Sequence, residues 1–387
     1  MSHLQTLQQR EEEFTRLRRQ IHQHPELGFE EQRTSDIIAD LLQQWGYEVH
    51  RGLAKTGVVG TLKNGDGNKT IGLRADMDAL PIHEESTHDW RSKIDGKFHG
   101  CGHDGHTTIL LAAAQRLAET RNFNGTLRVI FQPAEELLYG GRVMLDDGLF
   151  DLFPCDMIFG LHNMPKMKTG EFYFREGSAM ASSDTIHIHI QGVGGHGAMP
   201  ESGIDATLVA CHITIALQSI VSRNVSPLDQ AVVTVGCIQS GDAPNVVNGK
   251  ALMKLTVRTL KPELRELVCR RISEIAQAQA SSFGATATIE HINGCPPLIN
   301  GAEATRFARE VATELFGAEK VHTAPPLMGS EDFAFMLEAN PNGNYCFVGN
   351  GDEPGACMVH NPLYDFNDEI IVPAAAYWCA LTEKYLR

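Results

Sequence analysis

Apolar positions recur at helical spacing from the start of the chain. Leu4, Leu7, Phe14, Leu17 and Ile21 fall on one stripe among charged neighbours, which predicts an amphipathic helix over residues 3–22. His24-Pro25-Glu26 stops it, because proline has no amide hydrogen with which to continue the ladder. A second stripe predicts a helix over 34–45 that closes at Gly46. The period then shortens. β-rich runs at 58–62 and 70–74 are followed by an apolar helical run at 107–118, a strand at 126–131 and a further apolar run at 157–161. Strands alternating with helices predict an α/β sheet. Ligands of such sheets gather beyond the carboxyl ends of the strands. Three of those ends carry polar chemistry here: Asp76 and Asp78, Glu135 and Glu136, and His162.

The texture changes near Ser182. Ile186, Ile188 and Ile190 alternate strictly with His187, His189 and Gln191, as in a half-exposed strand. A glycine-rich loop at 192–200 leads to a helical run at 206–221, β-rich runs at 231–238 and 251–260, a helix at 262–283 and a strand at 286–291. That βαββαβ order is the split-βαβ, ferredoxin-like sandwich, and it predicts an inserted α+β domain. The pattern divides the chain into a first domain at 1–182, the insertion at 183–294, and a return to the first domain at 295–387, with a helix at 302–316 and a late His360.

Composition adds limits. A length of 387 residues exceeds one ordinary core. A net charge of −15 disfavours a nucleic-acid surface or an anionic membrane as partner. No apolar stretch is expected to reach the ~20 residues of a membrane span. Nine scattered cysteines, an odd number without framework spacing, suit a reducing compartment, and the polar residues 8–13 do not read as a secretory segment. The expected location is the cytoplasm.

The densest chemistry lies in His99-Gly100-Cys101-Gly102-His103-Asp104-Gly105-His106. Imidazole and thiolate suit zinc and its first-row neighbours, and glycines let donors two residues apart face one point. With the strand-end groups, the candidate ligands are Cys101, His103, Glu136, His162 and His360. One metal leaves a donor over; two metals sharing a bridge use them all. Adjacent Glu135 and Glu136 cannot both point at a metal, so one is expected to ligate while its neighbour faces water as general base.

Several motifs resemble those of the M20 metallopeptidase family, and in particular its amidohydrolase branch of hippurate, N-acyl-amino-acid and auxin-conjugate hydrolases. They are His22-x-His24-Pro25-Glu26-Leu27-Gly28, Leu73-Arg74-Ala75-Asp76-Met77-Asp78, Cys101-Gly102-His103-Asp104-x-His106, Gln132-Pro133-Ala134-Glu135-Glu136, Gly194-Gly195-His196 and Gly329-Ser330-Glu331-Asp332-Phe333. The resemblance implies an α/β, mixed-sheet zinc-peptidase-like catalytic domain with an inserted ferredoxin-like dimerisation domain. It implies Glu135 as base, and two divalent ions per subunit (zinc, manganese, cobalt or nickel) held by Cys101, His103, Glu136, His162 and His360. The activity expected is cleavage of N-acyl amino acids through a metal-bound hydroxide.

The resemblance implies that His196 polarises the scissile carbonyl, as the equivalent histidine of the family does from a neighbouring subunit, and a homodimer or dimer of dimers is expected, with action in cis or in trans left open. The resemblance also points to Asn245, Arg258, on a strand at 254–260 expected to be an edge, and Gly329 as binding substrate. Many relatives carry His-x-Asp where this chain has Asp76-x-Asp78, so a histidine ligand is missing there. Asp78 is expected to orient a ligand, and Asp76 has no assigned role. His106 is read as a hydrogen-bonded helix histidine, and His22 and His24 as structural. Alternatives are a dipeptidase, carboxypeptidase or N-acetyl-diaminopimelate deacetylase and, from another class, a catalytically silent metal- or amino-acid-binding protein.

Overall fold

The larger of two units is built on an eight-stranded mixed sheet. Across it the strands run Glu48–Leu53, Gly57–Asn64, Gly125–Gln132, Thr70–Asp76, Met157–Pro165, Gly343–Gly351, Phe172–Phe174 and Val321–Thr323. Gly125–Gln132, Thr70–Asp76, Met157–Pro165 and Gly343–Gly351 are mutually parallel, so their carboxyl ends open on one rim. Register along them is set by pairs such as Asp76 with Gln132 and Phe347 with His162. The computed structural model describes residues 2–353 and 356–387. This unit comprises residues up to Gly177, Ile299–Pro325 and Asp332–Arg387, and Ser178–Leu298 with Pro326–Glu331 forms the second.

The central strands are buried on both faces, which explains their unbroken apolar runs. Helix His103–Thr120 is buried at every residue from His103 to Ala114, so it shows no amphipathic stripe. Its Ile109, Leu110 and Leu111 join one core with Leu73, Phe131, Phe159 and Trp378. Burying each such side chain contributes about 1.5–3 kcal/mol. Leu110→Ala would cost about 2–5 kcal/mol, because a core this dense relaxes little around a cavity.

Some expectations shift. The first helix is two, His3–Gln8 and Glu11–His22, separated where Arg10 leaves helical geometry at φ −117° and ψ 11°. The helix expected at 107–118 begins at His103, so the metal-type residues occupy its first turn. The strand expected to end at Leu161 continues through His162 to Pro165.

The second unit holds a four-stranded antiparallel sheet in the order Ala231–Gln239, Lys250–Thr259, Ser183–Gln191, Thr286–Cys295. Its core unites Ile186, Ile188 and Ile190 with Val209, Ile213 and Leu217 of helix Ala206–Ser219 and Val268 and Ile272 of helix Pro262–Ser282. Strand order 2-3-1-4 in this βαββαβ unit is that of the ferredoxin-like sandwich. Two readings need correction. The strand bearing Arg258 is central in the sheet, not an edge. Ala206–Asn224 is also long and apolar enough to cross a membrane by length and composition, although one stripe of it (Ala206, Val209, Ala210, Ile213, Leu217, Ile220) is buried in this core.

Candidate metal centre

Three strand ends and one helix start converge on the rim of the large sheet. Asp76 ends its strand and Asp78 follows two residues later. Cys101 and His103 bracket Gly102, the N-cap of helix His103–Thr120. Gly102 has φ +93°, and a Cβ there would lie 2.3 Å from Asn163 Oδ1, so both backbone and space demand glycine. Glu135 and Glu136 open a 3₁₀ turn beyond strand Gly125–Gln132. His162 lies inside its strand. His360 arrives on a loop at φ +67°, a left-handed position, where its amide donates to Gly100 O at 2.7 Å.

Their ligand atoms meet. Cys101 Sγ lies 3.3 Å from His162 Nε2, and Glu136 Oε2 lies 3.4 Å from His360 Nε2. Two triads, Cys101–His103–His162 and Cys101–Glu136–His360, each keep all three ligand atoms within 4.8 Å of one another. His103 Nε2 stands 3.8 Å from Glu136 Oε1 and 3.9 Å from Glu135 Oε2. His103 Nε2 and Glu136 Oε1 are both buried and have no hydrogen-bond partner among the described residues. Leaving such atoms unpaired costs ~1–3 kcal/mol each, and a shared cation satisfies both.

The electrostatics agree. Burial first, and then the Glu136 charge, push the Cys101 thiol well above its ordinary range. A thiolate there needs a cation beside it. Burial disfavours a charged His103, but Asp76 and neighbouring groups outweigh it and raise its pKa. Burial and then His106 hold His162 well below the usual range, leaving it neutral. With Nδ1 bonded to the Asn163 carbonyl at 2.6 Å, the Nε2 lone pair of neutral His162 faces Cys101. The donor set of imidazole, thiolate and carboxylate therefore fits late first-row divalent ions.

Around these donors stands a buried polar frame. Asp78 accepts from His103 Nδ1 at 3.1 Å and from the Glu136 amide at 2.9 Å. Both nitrogens of His106 are engaged, Nδ1 with Asp76 at 2.6 Å and Nε2 with Asn163. Asp76 also receives Arg74 at 2.8 Å. Asp332 accepts from Gln132 at 2.6 Å and from the Gly141 amide at 2.8 Å. Nothing local in the sequence marks Asn163 for this frame, whereas Gln132 and Asp332 lie inside Gln132-Pro133-Ala134-Glu135-Glu136 and Gly329-Ser330-Glu331-Asp332-Phe333.

The remaining expected residues lie in the second unit. His196 is exposed on a two-residue strand paired with Val246–Val247, and the Gly197 amide donates to Asn245 O at 2.7 Å, which sets His196 beside Asn245. The Ala198 amide donates to His196 Nδ1 at 3.1 Å, so the neutral ring carries its proton on Nε2. Arg258 is half-buried and donates to Ser330 Oγ at 2.7 Å. Gly329 neighbours that serine, and its carbonyl accepts from the Ala181 amide at 2.9 Å.

Comparison with known proteins adds independent findings. The model of peptidase family M20/M25/M40 matches residues 72–384. A hippurate hydrolase of Campylobacter jejuni is 45% identical over 376 residues, covering 97% of each chain. An IAA-amino acid hydrolase of Arabidopsis thaliana is 37% identical, over 96% of this chain and 86% of that one. Among solved structures, a dinuclear metal-binding M20 peptidase of Bacillus subtilis superposes with a TM-score of 0.85 at 32% identity, covering 97% of this chain and 98% of that one.

Proposed function

The chain belongs to peptidase family M20/M25/M40, and from that premise we propose that it is a metal-dependent amidohydrolase cleaving N-acyl amino acids to a carboxylic acid and a free amino acid. The observation that carries this reading is the pair of unpartnered buried atoms, His103 Nε2 and Glu136 Oε1, facing each other 3.8 Å apart beside Glu135. The relatives named above for hippurate and for indole-acetyl conjugates support an acyl group of the benzoyl or arylacetyl kind.

Two divalent ions fit the donors, held by Cys101, His103, Glu136, His162 and His360. When bound they supply Lewis acidity to the attacking water and to the scissile carbonyl. Glu135 takes the proton of the water and returns it to the leaving nitrogen. Asp78 fixes the ring of His103 and the backbone of Glu136 together. His196, with its proton on Nε2, donates a hydrogen bond to the developing oxyanion. Arg258 forks onto the substrate carboxylate, with Asn245 and Gly329 beside it.

His196 acts from a second copy of the chain in this reading. In the second unit Leu208 and Ile215 on helix Ala206–Ser219, and Val232 and Ile238 on edge strand Ala231–Gln239, are exposed large apolar side chains of the kind a second copy covers. The test is a panel of N-benzoyl, N-acetyl and arylacetyl amino acids against dipeptides on metal-loaded protein, with both products identified by mass spectrometry. Release of acid and amino acid from the acylated substrates supports the reading. Turnover of dipeptides alone replaces it.

A further inference from the structure

Glu31 is a fully buried carboxyl group that the metal centre, as described, does not use. It sits at the N-cap of helix Gln32–Gln44, yet its side chain does not cap that helix. Glu26 does so instead, accepting from the Arg33 amide at 2.9 Å and the Thr34 amide at 2.8 Å. Glu31 is thereby free to reach elsewhere. Its Oε2 accepts from Thr56 Oγ1 at 2.7 Å, and its Oε1 accepts from the amide of Ala134 at 2.9 Å.

Ala134 is the residue that turns the chain from strand Gly125–Gln132 into the Glu135–Glu136 pair. It does so in the left-handed region, at φ 55° and ψ 38°, and Leu138 at φ 52° leaves the turn in the same way. A left-handed non-glycine residue is strained and persists only where its surroundings hold it. The surroundings here can be named. The Ala134 amide goes to Glu31, the Glu136 amide goes to Asp78 at 2.9 Å, and the Leu138 amide closes on Glu135 O at 2.6 Å. Gly28 packs so closely that a Cβ added there would stand 2.9 Å from Ala134 Cβ. Burial pushes the Glu31 carboxyl up to about 7, with Asp78 adding to the rise. A carboxyl kept in such a place is an expensive way to fill space.

We propose that Glu31 is a positioning residue: by holding the Ala134 amide it fixes the left-handed turn that aims Glu135 at the attacking water while Glu136 faces the metals. This deepens the function proposed above and rests on it. Either protonation state of Glu31 keeps an oxygen for Ala134. Glutamine serves equally, its carbonyl accepting from Ala134 while the Thr56 hydroxyl rotates to accept from its amide.

The experiment measures kcat, KM and metal stoichiometry on metal-loaded Glu31→Ala, Glu31→Gln, Glu135→Gln and the Glu31→Ala/Glu135→Gln double variant, with N-benzoylglycine as substrate. Glu31→Ala is expected to lower kcat by ~10- to 100-fold while KM stays within about 3-fold, as for a base misplaced by a fraction of an ångström. Glu31→Gln is expected to recover kcat to within about 5-fold of wild type. In the Glu135→Gln background, Glu31→Ala should cost no more than about 2-fold, because both changes disable one group. A full additional loss in that background overturns the proposal, as does wild-type kcat in Glu31→Ala. If Glu31→Ala does not fold, Thr56→Val removes one of the two contacts that hold the carboxyl. It should lower kcat several-fold, again only while Glu135 is present, and unchanged turnover overturns the proposal. Should Glu135→Gln retain full activity, the base assignment fails with the clamp. Should it be inactive while Glu31→Ala is fully active, the clamp alone fails.

Discussion

Asp78 offers the sharpest quantitative test of the metal centre, because one carboxylate serves two proposed ligands. Its Oδ1 lies 3.1 Å from His103 Nδ1 and its Oδ2 takes the Glu136 amide at 2.9 Å. Asn in its place has one accepting oxygen and one NH2 group. Whichever way it turns, the NH2 meets a donor, either the His103 ring N–H or the Glu136 N–H. One hydrogen bond to a charged group is therefore lost, worth about 1.5–3 kcal/mol, or on the order of 10- to 150-fold in binding. Residues that orient metal ligands cost ~10–100-fold in metal affinity when replaced, which agrees. Asp78→Asn should thus raise the zinc dissociation constant by ~10–100-fold in competition with a chromogenic chelator. The metal-free variant should melt within a few degrees of metal-free wild type, since the lost bond is offset in part by removal of a buried charge. A folded Asp78→Asn with zinc affinity within about 2-fold of wild type would refute the reasoning, because Asp78 would then be bonded to these groups without positioning them.

Arg258→Ala should raise KM or lower kcat/KM by ~10- to 150-fold for N-acyl amino acids. Capping the substrate carboxylate as an amide should abolish most of that effect, and strictly additive losses would place the carboxylate elsewhere. Mixing inactive Glu135→Gln and His196→Ala subunits should restore part of the activity if His196 serves a neighbouring copy; verified mixed dimers without recovery would remove it from that role. Stability should depend on pH through His22. Burial disfavours its charge, but Asp104 at 2.8 Å and Glu84 prevail and raise it from 6.5 to about 9. A raised histidine stabilises fully below its unfolded value and loses that contribution as pH climbs through its folded one. Metal-free wild type should therefore lose of the order of 3 kcal/mol between pH 6 and 10 relative to His22→Gln, and parallel curves for the two would contradict the pairing.

The candidate site was legible because its polar residues lie at or near strand ends. Asp76, Glu135 and His162 each follow an apolar run, and parallel strands carry such residues to one rim. Register along the parallel strands is not written locally, and neither is the path of the loop that brings His360 back to Gly100. Strand Gly343–Gly351 escaped notice because burial on both faces erases its alternation and glycines bound it. Helix Ile371–Tyr385 is apolar nearly all round for the same reason. Arg258 looked like an edge residue because Lys254, Thr256 and Arg258 alternate as on a solvated strand, whereas the four-stranded sheet is open on one face and so gives a central strand that pattern. Glu31 was invisible as anything but one acid among several in Glu26–Glu31, since only the fold brings Ala134 to it.

The central claim, that Glu135 works as the base beside a metal pair held by its neighbours, is tested most directly by one comparison. Wild type and Glu135→Gln are loaded with metal, their bound metal is counted, and N-benzoylglycine hydrolysis is measured on the same samples. The expected result is two equivalents of metal in both, with kcat lower by at least ~10²-fold in the variant. Near-wild-type turnover by a fully loaded Glu135→Gln would contradict the account.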